Sequence, residues 1–130
     1  MRILIAEDND SKFARIKDCL EYNFKDLEIT RFTYAKGIVL DLMENEYEFL
    51  IQDMQMPLNR DGRIETTAGM YVFNQLKYRE IKIKTICCSS ESQDVPDEVE
   101  FVLFSYTSSG WGEQLINKMK NHKGNLNELC

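Results

Sequence analysis

Histidine is almost missing from this sequence: His122 is the only one in 130 residues. No CxxC pair and no His/Cys spacing of the zinc-binding kind occurs either, which argues against a zinc site. No apolar run approaches the roughly 20 residues that a membrane helix needs. The opening MRILIAEDND has an apolar run too short for a signal peptide, and acidic residues follow it at once. A cytoplasmic chain with no membrane contact is expected. The four cysteines fit that expectation. Cys87 and Cys88 are adjacent on a predicted strand, so they point to opposite faces and cannot pair with each other. Cys19 falls on a predicted helix and Cys130 is the last residue. Positive charge is also short, with 16 basic against 22 acidic residues and a net charge of −6. The basic residues are scattered, which argues against a nucleic-acid partner, whose phosphates must be neutralised by Lys and Arg.

What is present is a chain of one-domain length, able to bury a core without staples. Segments of strand and helix type alternate along it. Strands are predicted at 2–6, 27–32, 48–53, 82–88 and 100–104, the second alternating apolar and polar as an edge strand does. The first helix follows Asp10 or Ser11 as cap, with Phe13, Ile16, Leu20 and Phe24 at helical spacing. Thr33 is the candidate cap of a second helix over 34–45, where Ile38/Leu42 and Val39/Met43 form i,i+4 pairs. Residues 54–68 read as a long loop carrying Pro57 and the Asp61-Gly62 pair. A third helix is expected over 69–79, with Val72, Phe73 and Leu76 inward. A last helix is expected over 111–121, with Leu115, Ile116 and Met119 inward. Trp111 reads as packing at that helix start, and the methionines at 54, 56 and 70 as filler. Between Ser89 and the fifth strand the chain is turn-like and Pro96 limits any helix, so a fourth helix is reduced or missing. The domain is expected to occupy 1–122, with a tail over 123–130.

Five strand–helix alternations imply a parallel sheet with helices on both faces. The flavodoxin-like order 2-1-3-4-5 fits them, with a ligand site beyond the carboxyl ends of strands 1 and 3. Strand 1 runs into Glu7 and Asp8, strand 3 into Asp53, and strand 4 into Ser89 and Ser90. Carboxylates gathered this way repel one another unless a cation lies among them. Mg²⁺ suits few carboxylates, waters and a phosphate oxygen. Blander readings stand beside this one. Glu7, Asp8 and Asp10 would favour a helix N-terminus, and Asp53 and Ser89 are ordinary turn formers.

At these residues the chain resembles the receiver domains of two-component response regulators, over roughly residues 1–121. ILIAEDND is similar to the receiver start and FLIQDMQMP to the phospho-acceptor motif, an aspartate followed by Met-Pro. TICCSSE is similar to the fourth strand. The resemblance implies Asp53 as phospho-acceptor and Ser89 as the hydroxyl that contacts the phosphoryl group. It implies Mg²⁺ on Glu7, Asp8, Asp53 and the carbonyl of Gln55. The activity implied is that of an atypical single-domain receiver, a signalling module rather than an enzyme. A histidine kinase or phosphotransfer protein would supply the phosphoryl group, and output would pass through protein contacts, since no DNA-binding module follows. A homodimer is left open.

The sequence departs from the family in three places. The family's lysine at the end of strand 5 falls on Ser105, or on Phe104 one residue earlier, and neither is cationic. The missing charge removes electrostatic stabilisation, and Arg60 or Arg63 are the candidate replacements. The loop after Asp53 is longer by roughly eight residues, where about 2–6 is usual. The reduced fourth helix alters the family's output surface, and its switch aromatic maps to Phe101 or to Val102. A pseudo-receiver that binds partners without phosphorylation is therefore the alternative. Haloacid-dehalogenase and Toprim enzymes need a second aspartate two positions after the first, where this chain has Gln55. A flavin phosphate would be repelled by AEDND.

Overall fold

The structure is a computed structural model that describes residues 1–121 in full and residues 122–129 only as part of the last helix. The expected tail over 123–130 lies outside the fully described residues. β1 (Arg2–Ala6) is flanked by β2 (Glu28–Phe32) and β3 (Phe49–Gln52). Past β3 come a short pair, β4 (Met56–Pro57) and β5 (Ile64–Glu65), then β6 (Lys84–Ser89) and β7 (Glu100–Leu103). The five long strands are all parallel, in the order β2-β1-β3-β6-β7. This is the flavodoxin-like doubly wound sheet that the alternation implied, with β2 at one edge.

Period-two alternation decides which helix covers which face. Ile3, Ile5, Phe49 and Ile51 turn to one side, where α1 (Asp10–Asn23) supplies Ile16 and Leu20 and α4 (Gly110–Leu129) supplies Leu115, Ile116 and Met119. Leu4, Ala6 and Leu50 turn to the other side, against Ile38, Val39 and Leu42 of α2 (Ala35–Glu44) and Val72 and Leu76 of α3 (Ala68–Tyr78). Each such side chain taken from water contributes about 1.5–3 kcal/mol. Met43 does not join them and remains half exposed.

Local signals at the element ends differ from expectation. α1 is capped by Asn9, whose Oδ1 accepts the Lys12 amide at 2.9 Å, and not by Asp10 or Ser11. Thr33 caps nothing: the N-cap of α2 is Tyr34, which makes no side-chain cap bond. The 54–68 segment is not all loop, because β4 and β5 close an antiparallel hairpin with Met56 opposite Glu65 and Pro57 opposite Ile64. Asp61 takes the left-handed conformation at φ 59° and the Gly62 amide donates to Asn59 O, so the Asp-Gly pair makes the turn. No helix lies between β6 and β7. Val95 and Val99 cross over Met54, Phe73 and Cys87 instead. Beside them a cavity of about 560 Å³ opens along Phe73, Leu76, Ile81 and Ile83.

α3 comes very close to the end of β3. The Gly69 amide donates to Met54 O at 3.0 Å. A Cβ on Gly69 would stand 2.6 Å from Met54 Sδ and 2.8 Å from Met54 Cα. Because the second of these is backbone, Gly69→Ala must displace α3 from the residues that follow Asp53. The expected cost is about 1–3 kcal/mol, read as a lower urea midpoint with unchanged slope. Cys87 and Cys88 are buried on opposite faces, and burial pushes both thiols up to about 12. A thiol so raised stays protonated and unreactive through the neutral range. Peptide mapping after treatment with a thiol reagent should find both residues unmodified in the folded protein and modified in denaturant.

Candidate functional site

The register of β1 and β3 builds the site. Ala6 pairs with Gln52, and the Asp53 amide donates to Ala6 O at 3.0 Å. The residues just beyond these strand ends, Glu7, Asp8 and Asp53, are thereby brought level. Each offers a carboxylate oxygen, and those oxygens all lie within 4.8 Å of one another. Glu7 is 1% exposed and Asp53 8% exposed. Glu7 Oε2 accepts the Asn9 amide, and Arg31 Nε donates to Glu7 O. Both bonds fix the turn from β1 into α1. Asp53 Oδ1 accepts the Met54 amide at 2.8 Å.

A cation lies among these anions, and it comes from none of the expected places. Lys12, on the first turn of α1, is 4% exposed. Its Nζ is 2.8 Å from Glu7 Oε1 and 3.1 Å from Asp53 Oδ1. It also donates to Cys88 O at 2.7 Å. Helical side chains lean toward the N-terminus of their helix, which carries Lys12 from α1 over the strand ends. Glu7 Oε1 has no other hydrogen-bond partner. Burial pushes the Glu7 carboxyl up to about 7, Lys12 pulling it down and the Asp53 charge adding to the rise. Burial raises Asp53 as well, against the pull of Lys12. For Lys12 burial disfavours the charge, but Asp53 and Glu7 outweigh it and hold the ammonium above the usual lysine range. Three carboxylates against one ammonium leave the site short of positive charge.

The donor set fits a hard divalent cation: carboxylate oxygens only, close together, with a buried Glu7 oxygen partnered by nothing but Lys12. A cavity of about 190 Å³ opens over Glu7, Asp8, Lys12, Asp53, Gln55 and Ser89. Ser89, the last residue of β6, is buried beside Asp53, and its Oγ accepts the Glu91 amide at 3.3 Å. Gln55 lines the same cavity and its side-chain amide donates to Glu91 Oε2. Glu7, Asp8, Asp53, Gln55 and Ser89 thus all line one cavity.

It does not bring the arginines there. Arg60 lies over the Tyr34 ring and donates to Tyr34 Oη at 3.2 Å, and Arg63 is exposed. The hairpin explains this: Lys36 N donates to Leu58 O, which draws the strand leading to the turn toward the start of α2. Its contribution to the cavity rim is Ile64. At the end of β7 it is Phe104 that stands beside the site. Its amide donates to Ser89 O, and its ring packs on Trp111 with Lys12 Nζ 5.5 Å from the ring centroid. The Ser105 hydroxyl is engaged with Thr107. Sequence reasoning missed Lys12 because a lysine on an amphipathic helix is normally solvated. The available signal was its place in the first turn, just after an acidic pair.

No protein-family model matches the chain. The Detocs response regulatory protein DtcB of Enterobacter cloacae strain JD6301 is 30% identical over 147 aligned residues, covering 92% of this chain and 98% of that protein. The response regulator domain of Thermotoga maritima CheB superposes with a TM-score of 0.69 at 17% identity, covering 93% of this chain and 94% of that one. The receiver domain of Francisella response regulator 1452 gives 0.65 at 21% identity, covering 92% and 93%. A fold shared with receiver structures, and an identity that runs nearly the whole length of a response regulator, agree with the strand-end acids, and the chain belongs to the response regulators as a receiver domain.

Proposed function

We propose that this receiver accepts a phosphoryl group on Asp53 in a Mg²⁺-dependent reaction and passes the signal on through protein contacts. The observation that carries the reading is the meeting of Glu7, Asp8 and Asp53 oxygens within 4.8 Å, at the end of the sheet where Ser89 also lies. An Asp53 carboxylate oxygen attacks the phosphorus of a phosphohistidine on a histidine kinase or phosphotransfer protein. The O–P bond forms, the P–N bond breaks, and the leaving imidazole takes up a proton. Bound by Glu7, Asp8, Asp53 and the Gln55 carbonyl, Mg²⁺ would supply neutralisation of the charge shared by attacking and phosphoryl oxygens. Ser89 would donate its hydroxyl to a phosphoryl oxygen. Lys12 holds the acceptor, and the Met54 amide fixes its orientation.

The alternative is a pseudo-receiver that binds partners without being phosphorylated. The observations in its favour are Phe104 in the lysine's place and the missing helix between β6 and β7. Lys12 weighs against it, because a buried ammonium group still stands beside Asp53.

Incubation with acetyl phosphate and Mg²⁺ should give a single phosphoryl adduct by intact mass, and Asp53→Asn or a chelator should abolish it. The pseudo-receiver would give no adduct from either acetyl phosphate or the kinase, and no response to beryllofluoride. Asp8→Asn should weaken Mg²⁺ binding by at least about tenfold, a loss typical even of outer-shell partners of a metal. A titration followed by the fluorescence of Trp111, the one tryptophan, checks this.

A further inference from the structure

We propose that Lys12 is the phosphoryl-contacting cation of this receiver, delivered by the first turn of α1 in place of the strand-5 lysine. The inference rests on Asp53 being the acceptor. Lys12 Nζ already ion-pairs with Oδ1 of the acceptor Asp53 at 3.1 Å, in a setting where its side chain is 5% exposed. Among the described residues, the lining of the acidic cavity holds no other cation. The end of β7, which would carry the usual lysine, offers Phe104 instead, and its ring lies beneath the ammonium group. The segment after it, Ser105 to Ser109, is uncharged. An aromatic ring fills the space that a lysine stem would cross, and the ammonium arrives over it from the helix.

Charge makes the assignment functional as well as structural. Transfer replaces the Asp53 carboxylate by an acyl phosphate and brings about two negative charges to the phosphoryl oxygens. Those oxygens would lie at least two bonds beyond the atom that Lys12 now contacts, within reach of a small shift of the ammonium group. A charge-assisted hydrogen bond from an ammonium to such oxygens is among the stronger polar contacts a protein makes. Lys12 would then loosen its hold on Glu7 Oε1 and Cys88 O, the carbonyl just before Ser89. One group would thus sense the phosphoryl at both α1 and the end of β6.

The test compares wild type with Lys12→Gln, and with Lys12→Gln/Phe104→Lys, which returns the cation to the strand end. Lys12→Gln should slow adduct formation with acetyl phosphate by about 100-fold, the loss seen when one electrostatic donor is removed from a reacting centre. Its Mg²⁺ affinity should rise, because a positive charge has left the acid cluster. A purely structural lysine would shift melting temperature and would not split these two readouts in opposite directions. The double variant should regain phosphoryl uptake. Lys12→Gln that folds and is phosphorylated within a few-fold of wild type overturns the inference. Whether or not the variants fold, the side-chain ¹⁵N signal of Lys12 in the wild-type protein decides. It should shift when beryllofluoride and Mg²⁺ are added together, and an unmoved signal in a protein whose Trp111 fluorescence reports binding overturns the role of Lys12 alone. A wild type that neither binds beryllofluoride nor takes a phosphoryl group overturns the functional reading itself.

Discussion

Three carboxylates can share one end of a sheet only if positive charge lies among them, and the rest of this site follows from that constraint. The parallel register of β1 with β3 leaves Glu7, Asp8 and Asp53 no room to separate. Removing two charges from water costs several kcal/mol each, and their attraction offsets this only with good geometry and further hydrogen bonds. Lys12 meets both conditions, contacting two carboxylates and a backbone carbonyl at 2.7–3.1 Å. One ammonium still leaves the cluster net negative. Burial, with the Asp53 charge adding to it, raises the Glu7 carboxyl, and a divalent cation beside it would favour the ionised form.

Much of this was legible in the sequence because strand ends are. An apolar run that stops at a carboxylate places the carboxylate at the mouth of the sheet once the strand order is known, and Glu7, Asp8, Asp53 and Ser89 all follow from that. The core faces were legible for the same reason, since Ile3 and Ile5 alternate with Leu4 and Ala6. Lys12 was not, because its role depends on how a side chain leans from a helix over a neighbouring strand, and one position in a helix carries no periodicity to show it. The cap of α1 was missed among adjacent residues that are all competent to cap, and Asn9 won by reaching the Lys12 amide. The β4–β5 hairpin was missed because strands of two residues carry no alternation.

The stretch from β6 to β7 shows what a shortened crossover does to the outer face. Parallel strands are usually joined by a dozen or more residues, most often through a helix. Here residues 90–99 make the passage with no helix, and Val95 and Val99 provide what cover they can for Met54, Phe73 and Cys87. The apolar side of α3 is nonetheless covered, with Val72, Phe73 and Leu76 all buried. The face on which receivers of this fold present a fourth helix is in this protein a groove whose charged lining is Lys77, Lys82, Lys84 and Glu98.

A two-state switch needs groups whose contacts with the phosphoryl differ between the states. On the proposed reading those groups would lie on α1, through Lys12, and at the end of β6, through Ser89. β7 contributes an aromatic ring and no charge. Phe104 is nonetheless close to them, its ring centroid 5.5 Å from the Lys12 ammonium and 4.7 Å from the Trp111 ring of α4. A displacement of Lys12 would be felt first along α1 and α4, which pack together over one face of the sheet. Where the β6–β7 side lacks a helix, the proposed phosphoryl-contacting charge stands on the opposite face, on α1.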